Sequence, residues 1–250
     1  FREWLKKAAE EAGFRIFSYG HYGQVAGEEG IDSYFRNLKA LSEAAEYAGV
    51  EMWNTQLSSA HHVFRIPGEY DFMWQITTAA ACGSRGIFWF RFYDRLAGPN
   101  YHGSPIDEYG NLTEQYYRLL RCQRKFNDHW GELIMSLRHV KTYINPSMGG
   151  YPEFRSGCHP AIDRIESNAP AVISFFRDDK YEYLVLVNAS QKTDGVYKIF
   201  FSDNYLPEEL LFNGAECDPY NYGNTELSWD GLWLYPGQMA IYRIKEKEER

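Results

Sequence analysis

A helix followed by a strand recurs at a nearly constant interval in the first half of this chain. Gly13, Gly49 and Gly86 each separate an amphipathic helical pattern from an apolar strand pattern, and they lie 36 and 37 residues apart. The strand patterns read FRIFSY, VEMWNTQL and IFWFRFY. Helices that alternate with strands at this spacing are typical of βα units in a parallel sheet. A last long helix over roughly residues 113–137 is expected to close the series.

The pattern changes after residue 140. Pro146, Gly149 and Pro152 mark a junction, and strand patterns without helices follow it. They read AVISFF, YEYLVLVNAS, GVYKIFF, ELLFNG and GLWLYPGQMAIYRI. Short strands at this spacing predict an antiparallel β-sandwich. The predicted fold class is therefore α/β plus all-β, with one domain over residues 1–140 and a second over 141–250.

Composition excludes several classes of function. Lys and Arg number 26 against 34 Asp and Glu, a net charge of −8, and the basic residues are scattered, which argues against a nucleic-acid partner. A mean hydropathy of −0.52, without an apolar run of about 18 residues, argues against a membrane partner. The four cysteines form no CxxC pair, so neither a metal nor a cofactor is expected. Aromatic residues make up 17% of the chain, which suits a β-rich core or a surface that stacks on flat ligands.

Polar and aromatic side chains gather where the three strand patterns end, the edge that carries function in parallel βα folds. They are His21 and Tyr22 after the first strand, Trp53, Asn54 and Gln56 in the second, and Trp89, Arg91, Tyr93 and Asp94 in and after the third. Strict alternation over 87–94 places Trp89, Arg91 and Tyr93 on one face. Because a guanidinium is costly to bury without water, that face is predicted to be the ligand side. Asn54 and Gln56 are assigned to the same side.

Several of these residues have a competing interpretation. His61 and His62 could form a metal pair, but adjacent side chains diverge, so a surface or loop-anchoring role is favoured. His21 fits a ligand contact and a structural role about equally. Ser58 and Ser59 lie near His61, but no G-x-S-x-G element supports a nucleophile. Arg91 is the strongest single candidate.

Residues 31–138 resemble the last units of the (β/α)8 barrel in glycoside hydrolases of the β-galactosidase-like type. The resemblance rests on Met52-Trp53, on Trp74-Gln75 followed by residues 81–87, on the aromatic strand 88–92, and on Ile106-Asp107 with Gly110. The segment LYPGQMAIYRI is similar to the final strand of the β-sandwich that often follows such barrels.

The resemblance implies glycosidic-bond hydrolysis of a carbohydrate. Trp53, Trp89 and Tyr93 would stack on sugar, while His21, Tyr22, Asn54, Gln56 and Arg91 would bind it and Asp94 would be the catalytic carboxylate. Three strands cannot close an eight-stranded barrel. The chain is therefore expected to be a fragment whose barrel an upstream segment or another chain completes.

The same resemblance exposes a gap in the chemistry. The family places its two catalytic glutamates on barrel strands four and seven, whereas strand seven here ends in Asn54, Gln56 and Ser58, and strand four is absent. Glu51 lies at the wrong end of its strand. A non-catalytic carbohydrate-binding protein is thus the alternative, and a structural or interaction module whose aromatics only fill a core is the third. The sequence leaves a cytoplasmic and a secreted location equally open.

Overall fold

The first half of the computed structural model alternates helices with parallel strands. The structure describes residues 1–27, 29–94, 101–210, 216–217 and 231–247. The elements of this half are α1 (Arg2–Ala12), β1 (Ile16–Gly20), α2 (Glu29–Ala48), β2 (Glu51–Leu57), β3 (Ala60–His61), α3 (Glu69–Ala81), β4 (Gly86–Phe90), β5 (Tyr101–His102), α4 (Glu114–Phe126) and α5 (Glu132–Ser136). Strands β1, β2 and β4 form a parallel sheet in that order, while β3 and β5 pair as an antiparallel ribbon. The predicted βα alternation and parallel pairing are confirmed.

The first two helices end at the predicted glycines. Gly13 and Gly49 adopt left-handed φ values of 71° and 68° directly after α1 and α2, as a helix C-terminus favours. α2 begins at Glu29, so Asp32 lies within its first turns. Asp32 Oδ1 accepts the Gly149 N–H at 2.7 Å, which anchors the loop after β6. The predicted long last helix is interrupted by a π-helical turn at Asn127–Gly131 between α4 and α5.

The second half is all strand. Its elements are β6 (Arg138–Asn145), β7 (Ile162–Ser167), β8 (Ala171–Arg177), β9 (Glu182–Asn188), β10 (Gly195–Phe201), β11 (Tyr205–Leu210), β12 (Glu216–Cys217), β13 (Leu232–Leu234) and β14 (Met239–Glu246). They form a six-stranded sheet in the order β12-β11-β14-β9-β8-β6 and a three-stranded sheet in the order β13-β10-β7. Pairing within both is antiparallel.

The sequence patterns do not predict two of the strands, β6 and β7. β6 carries charged residues in its first half and a register irregularity between His139 and Lys141, and β7 reads IDRIES. Neither shows the apolar alternation that marks a strand. β6 also spans the predicted boundary after residue 140. The strand predicted over ELLFNG begins within β11, and its residues 211–214 lie outside the described part.

The six-stranded sheet is covered on both faces. Val185 and Val187 of β9 belong to an apolar cluster shared with α2 and α3, whereas Leu184 and Leu186 belong to a second cluster shared with β10 and β13. Alternate residues of one strand therefore serve two cores. The helices and this sheet are also joined by buried hydrogen bonds. Trp74 Nε1 donates to the Ala189 carbonyl at 2.7 Å, and Thr77 Oγ1 donates to the Gly237 carbonyl at 2.8 Å.

Among the described helices, none is both long enough and apolar enough to cross a lipid bilayer.

Candidate functional site at the carboxyl edge of the parallel sheet

The register of the parallel sheet defines its two faces. Ser18 lies beside Trp53, and Thr55 beside Phe88, on a face that opens to solvent. On this open face Phe88 is 48% exposed, and the Ser18 and Thr55 hydroxyls are 3.1 Å apart. The opposite face packs on the helices. Its members are Phe17, Tyr19, Met52, Asn54, Gln56, Ile87 and Trp89.

Asn54 and Gln56 lie on the helix side, so their predicted orientation toward a ligand is wrong. Both are fully buried. Gln56 Nε2 donates to the Asn54 side-chain oxygen and to the Tyr34 hydroxyl, and Gln56 Oε1 accepts from Gln24. Gln75 of α3 completes this network by bonding both the N–H and the carbonyl of Leu57. These amides hold β2 against the helices rather than facing solvent.

Trp89 also faces the helices, against expectation. Its ring stands edge-on to Phe72 of α3 at 5.6 Å, and its Nε1 donates to Gln123 Oε1 of α4 at 3.2 Å. Trp53 does lie on the open face, where its ring covers Gly86 and contacts Phe88 at 5.1 Å. Of the two predicted tryptophan platforms, Trp53 alone lies on the open face.

The orientation prediction failed because the strand is shorter than its pattern. The predicted alternation runs through residue 94, but β4 ends at Phe90. Trp89 and Arg91 therefore belong to different structural segments. The side of the sheet on which Arg91 lies therefore does not determine the side on which Trp89 lies.

An aromatic cluster occupies the edge where the strands end. Tyr22, which follows β1, stacks on Phe90 at 5.9 Å and stands edge-on to His61 and Phe64 at 5.8 and 5.7 Å. Tyr101 of β5 stacks on His61 at 5.3 Å with the two rings 7° from parallel. Of these five residues only Tyr22 was a predicted site residue. The others come together because the β3–β5 ribbon folds over the sheet edge, a non-local pairing that no local pattern reveals.

His61 is the polar centre of this cluster and is not a surface residue, being 8% exposed. Burial, together with the neighbouring His62, lowers its pKa below the ordinary value, so the neutral imidazole dominates at pH 7. Its Nδ1 is buried and has no hydrogen-bond partner among the described residues. The adjacent His62 has a positive φ of 50°, and its ring centre lies 5.6 Å from that of His61 and 6.1 Å from that of Tyr101.

Arg91 lies beside the cluster, and hydrogen bonds fix both its backbone and its side chain. Its N–H donates to Ser59 Oγ at 3.2 Å, and its carbonyl accepts from Ser58 Oγ at 3.0 Å. Its guanidinium carbon lies 4.7 Å from the Tyr93 ring centre and 4.9 Å from that of Tyr101. Nε donates to the Tyr93 carbonyl at 2.9 Å. Such stacking on aromatic faces is favourable for a guanidinium and fixes its plane.

The remaining predicted residues surround this arrangement. Tyr93 is 58% exposed, and Asp94 Oδ1 accepts the Ser104 N–H at 3.2 Å. His21 turns away from the cluster, and its Nε2 lies 3.0 Å from Ser33 Oγ of α2. Burial lowers the pKa of His21, which keeps that ring neutral at pH 7. In the described ranges no three His, Cys, Asp or Glu side chains come close enough together to hold a metal ion.

These features define a mixed α/β protein in which a parallel βα sheet adjoins antiparallel sheets. No family model matches the chain, and no curated protein matches it. Among solved structures it shows a weak likeness to Thermotoga maritima alpha-fucosidase. The complex with fucose has 11% identity and a TM-score of 0.37 over 96% of this chain and 67% of that one. The crystal structure of the alpha-fucosidase has 11% identity and a TM-score of 0.35 over 98% and 68%. A likeness this weak does not assign a chemistry.

Proposed function

We propose that this chain is part of a carbohydrate-active protein of the glycoside hydrolase type, with its sugar site at the carboxyl edge of the parallel sheet. The observation that carries the proposal is the convergence there of Tyr22, Arg91, Tyr93 and Asp94, which follow two different strands. Sugar sites combine aromatic faces, which stack on the ring, with a few fixed polar groups that bind hydroxyls. Trp53 lies on the open face beside Gly86, where β4 begins, and would contribute only to a ligand that extends along that face. Asn54, Gln56 and Trp89 are left out because they face the helices.

The carboxylates favour a second candidate, a protein that binds sugar without cleaving it. A retaining glycosidase needs two carboxyl groups about 5–5.5 Å apart. The described residues of the loops that follow the three parallel strands, 21–27, 58–68, 91–94 and 101–113, carry three carboxylates: Asp94, Asp107 and Glu108. Asp107 Oδ1 accepts the N–H groups of Tyr109 and Asn111 and so closes its own turn. A hydrolytic site would require a second carboxylate beside Asp94.

Binding of simple glycosides tests the site. Methyl β-D-galactoside should shift the amide resonances of residues around Tyr22, Arg91 and Tyr93. Tyr93→Ala should weaken binding at least about fivefold because one stacking face is lost. Tyr109→Ala is the matched control, since that side chain is 78% exposed in the turn that Asp107 closes, outside the aromatic cluster. If Tyr93→Ala and Tyr109→Ala bind as tightly as the unaltered chain, the site lies elsewhere.

Turnover separates the two candidates. In a protein that hydrolyses aryl glycosides, Arg91→Ala and Asp94→Asn should each lower kcat/KM at least about a hundredfold. Glycoside binding without detectable hydrolysis would favour the non-catalytic protein. Unchanged rates in both variants would contradict the assignment of Arg91 and Asp94.

The parallel sheet fits an incomplete (β/α)8 barrel joined to a β-sandwich, divided near residue 140. In the described residues β1 and β4 each have β2 as their strand neighbour, so both outer edges are open. The Phe90 carbonyl accepts a hydrogen bond from the Ser58 N–H. The backbone N–H and C=O groups of Phe88 and Phe90 therefore point toward β2, and those of Ile87 and Trp89 point toward the free edge. Beyond that edge, a cavity of about 630 Å³ separates β4 from Phe126, Ile134 and Met135. Further strands from an upstream segment or another chain would fill this gap.

Amide exchange tests the open edge. The Ile87 and Trp89 amides should exchange much faster than the Phe88 amide, which bonds to β2. Protection of Ile87 and Trp89 equal to that of Phe88 would show that the edge is already paired.

A further inference from the structure

Among the described residues, Arg91 has no counter-charge. Its Nε bonds the Tyr93 carbonyl, but neither terminal nitrogen of the guanidinium has a hydrogen bond or an ion pair among the described residues. Other arginines of the chain do find carboxylates, such as Arg65 with Asp71 and Arg243 with Glu208. The absence is notable in a chain of net charge −8.

The nearest carboxylate in sequence does not fill that role. Asp94 is three residues away, but its Oδ1 accepts the Ser104 N–H, and it forms no ion pair with Arg91. The imidazole of His61, stacked on Tyr101, is neutral at pH 7 and supplies no charge of either sign. Among the described residues, the Arg91 guanidinium is therefore the positive group beside the aromatic cluster.

The guanidinium is also preorganised. Ser58 and Ser59, both fully buried, fix the Arg91 backbone through its carbonyl and its N–H. Tyr93 and Tyr101 fix the plane of the side chain. A planar fork held in place with both terminal nitrogens available binds a carboxylate through two parallel hydrogen bonds, and little side-chain entropy remains to be lost.

We infer that the site selects an acidic sugar, one whose ring carries a carboxylate that pairs with Arg91. This inference rests on the proposed function, because the aromatic surface of Tyr22 and Tyr93 is what binds the ring. Arg91 then discriminates between a uronic acid and the corresponding neutral sugar. The two ligands differ only in the exocyclic group that the guanidinium meets.

Competing ligands of matched shape test this. Methyl β-D-glucuronide and methyl β-D-glucoside differ only in the exocyclic group, a carboxylate in the first and a hydroxymethyl group in the second. We expect the glucuronide to bind at least about tenfold more tightly at low salt, as measured by calorimetry or amide shifts. The preference should shrink as salt is added, because the pair is partly exposed. Inorganic sulfate should bind more weakly than the glucuronide, since it cannot use the aromatic surface.

Variants assign the preference to Arg91. Arg91→Gln should reduce the ratio of the two affinities at least about tenfold, and Arg91→Lys should give an intermediate ratio, because it keeps the charge but loses the fork. Arg118→Gln is the control for the loss of one positive charge elsewhere and should leave the ratio unchanged. Unfolding midpoints verify that each variant is folded.

The outcomes separate the two proposals. Equal binding of both sugars overturns the acidic-sugar inference and leaves the proposed function standing. Binding of neither sugar overturns the acidic-sugar inference, and if methyl β-D-galactoside does not bind either, the proposed function is overturned as well. A glucuronide preference that survives Arg91→Gln, or sulfate binding as tight as glucuronide binding, shows that the selection does not come from a sugar carboxylate on Arg91.

Discussion

The six-stranded antiparallel sheet and the three-stranded parallel sheet are covered to very different extents. The six-stranded antiparallel sheet lies between the helices on one face and the β13-β10-β7 sheet on the other, and β8 and β9 are buried along nearly their whole length. The parallel sheet packs on helices through one face alone, and its other face exposes Ile16 and Phe88. Parallel sheets are normally buried on both faces. The antiparallel sheet is therefore stabilised by burial on both faces, whereas the parallel sheet, which carries the candidate site, is buried on one face.

The difference predicts that tryptophans on the two sides of the parallel sheet contribute unequally to stability. Trp74→Ala should lower the free energy of unfolding by about 3–5 kcal/mol, because it leaves a cavity among Tyr34, Phe35 and β9 and frees the Ala189 carbonyl. Trp53→Ala on the open face should cost about 1 kcal/mol or less. Urea denaturation measures both. A Trp53 variant as unstable as the Trp74 variant would mean that the open face is covered.

A glycine at the junction should be the next most sensitive position. Gly237 has a left-handed φ of 73°, and a methyl group there would collide with the backbone of Trp74. Gly237→Ala should therefore cost about 2–4 kcal/mol. Gly150→Ala is matched in conformation, with a φ of 76°, but has open space around it, so it should cost about 1–2 kcal/mol. Equal losses in the two variants would show that the contact between α3 and the 235–238 turn is loose.

Burial of one histidine should make the antiparallel sheet sensitive to acid. Desolvation lowers the pKa of His139 in β6 from 6.5 to about 4. The unfolded chain then binds more protons than the folded one between these values. The contribution of His139 to the free energy of unfolding, about 3 kcal/mol, is complete above about pH 6.5 and is lost as the pH falls toward 4.

His139→Gln isolates this effect, since glutamine can still bond Thr142 but does not titrate in this range. The stability of the variant should fall less steeply than that of the unaltered chain from pH 7 to pH 4.5. Parallel pH profiles for the two proteins would contradict the assignment to His139.

These contrasts also explain what sequence alone could predict. The βα repeat, the parallel pairing and the ends of α1 and α2 follow from periodicity and from glycines, which act locally. The cluster of His61, Phe64, Phe90 and Tyr101 depends on the β3–β5 ribbon, whose strands are 40 residues apart. Asn54, Gln56 and Trp89 were misplaced because a polar or aromatic residue can be buried whenever a partner such as Gln75 or Gln123 faces it. That partner is visible only in three dimensions.

The smallest expected change in the free energy of unfolding concerns two hydroxyl pairs with nearly equal O–O distances. Thr142 and Ser174 are 2.9 Å apart inside the antiparallel sheet, and Ser18 and Thr55 are 3.1 Å apart on the open face. Ser174→Ala should cost about 1 kcal/mol, because a buried partner loses a hydrogen bond that water cannot replace. Ser18→Ala should cost less than about 0.5 kcal/mol, since water can bond Thr55 in its place. A larger loss for Ser18→Ala in urea denaturation would mean that solvent does not reach the open face, and the contrast between the two sheets would then disappear.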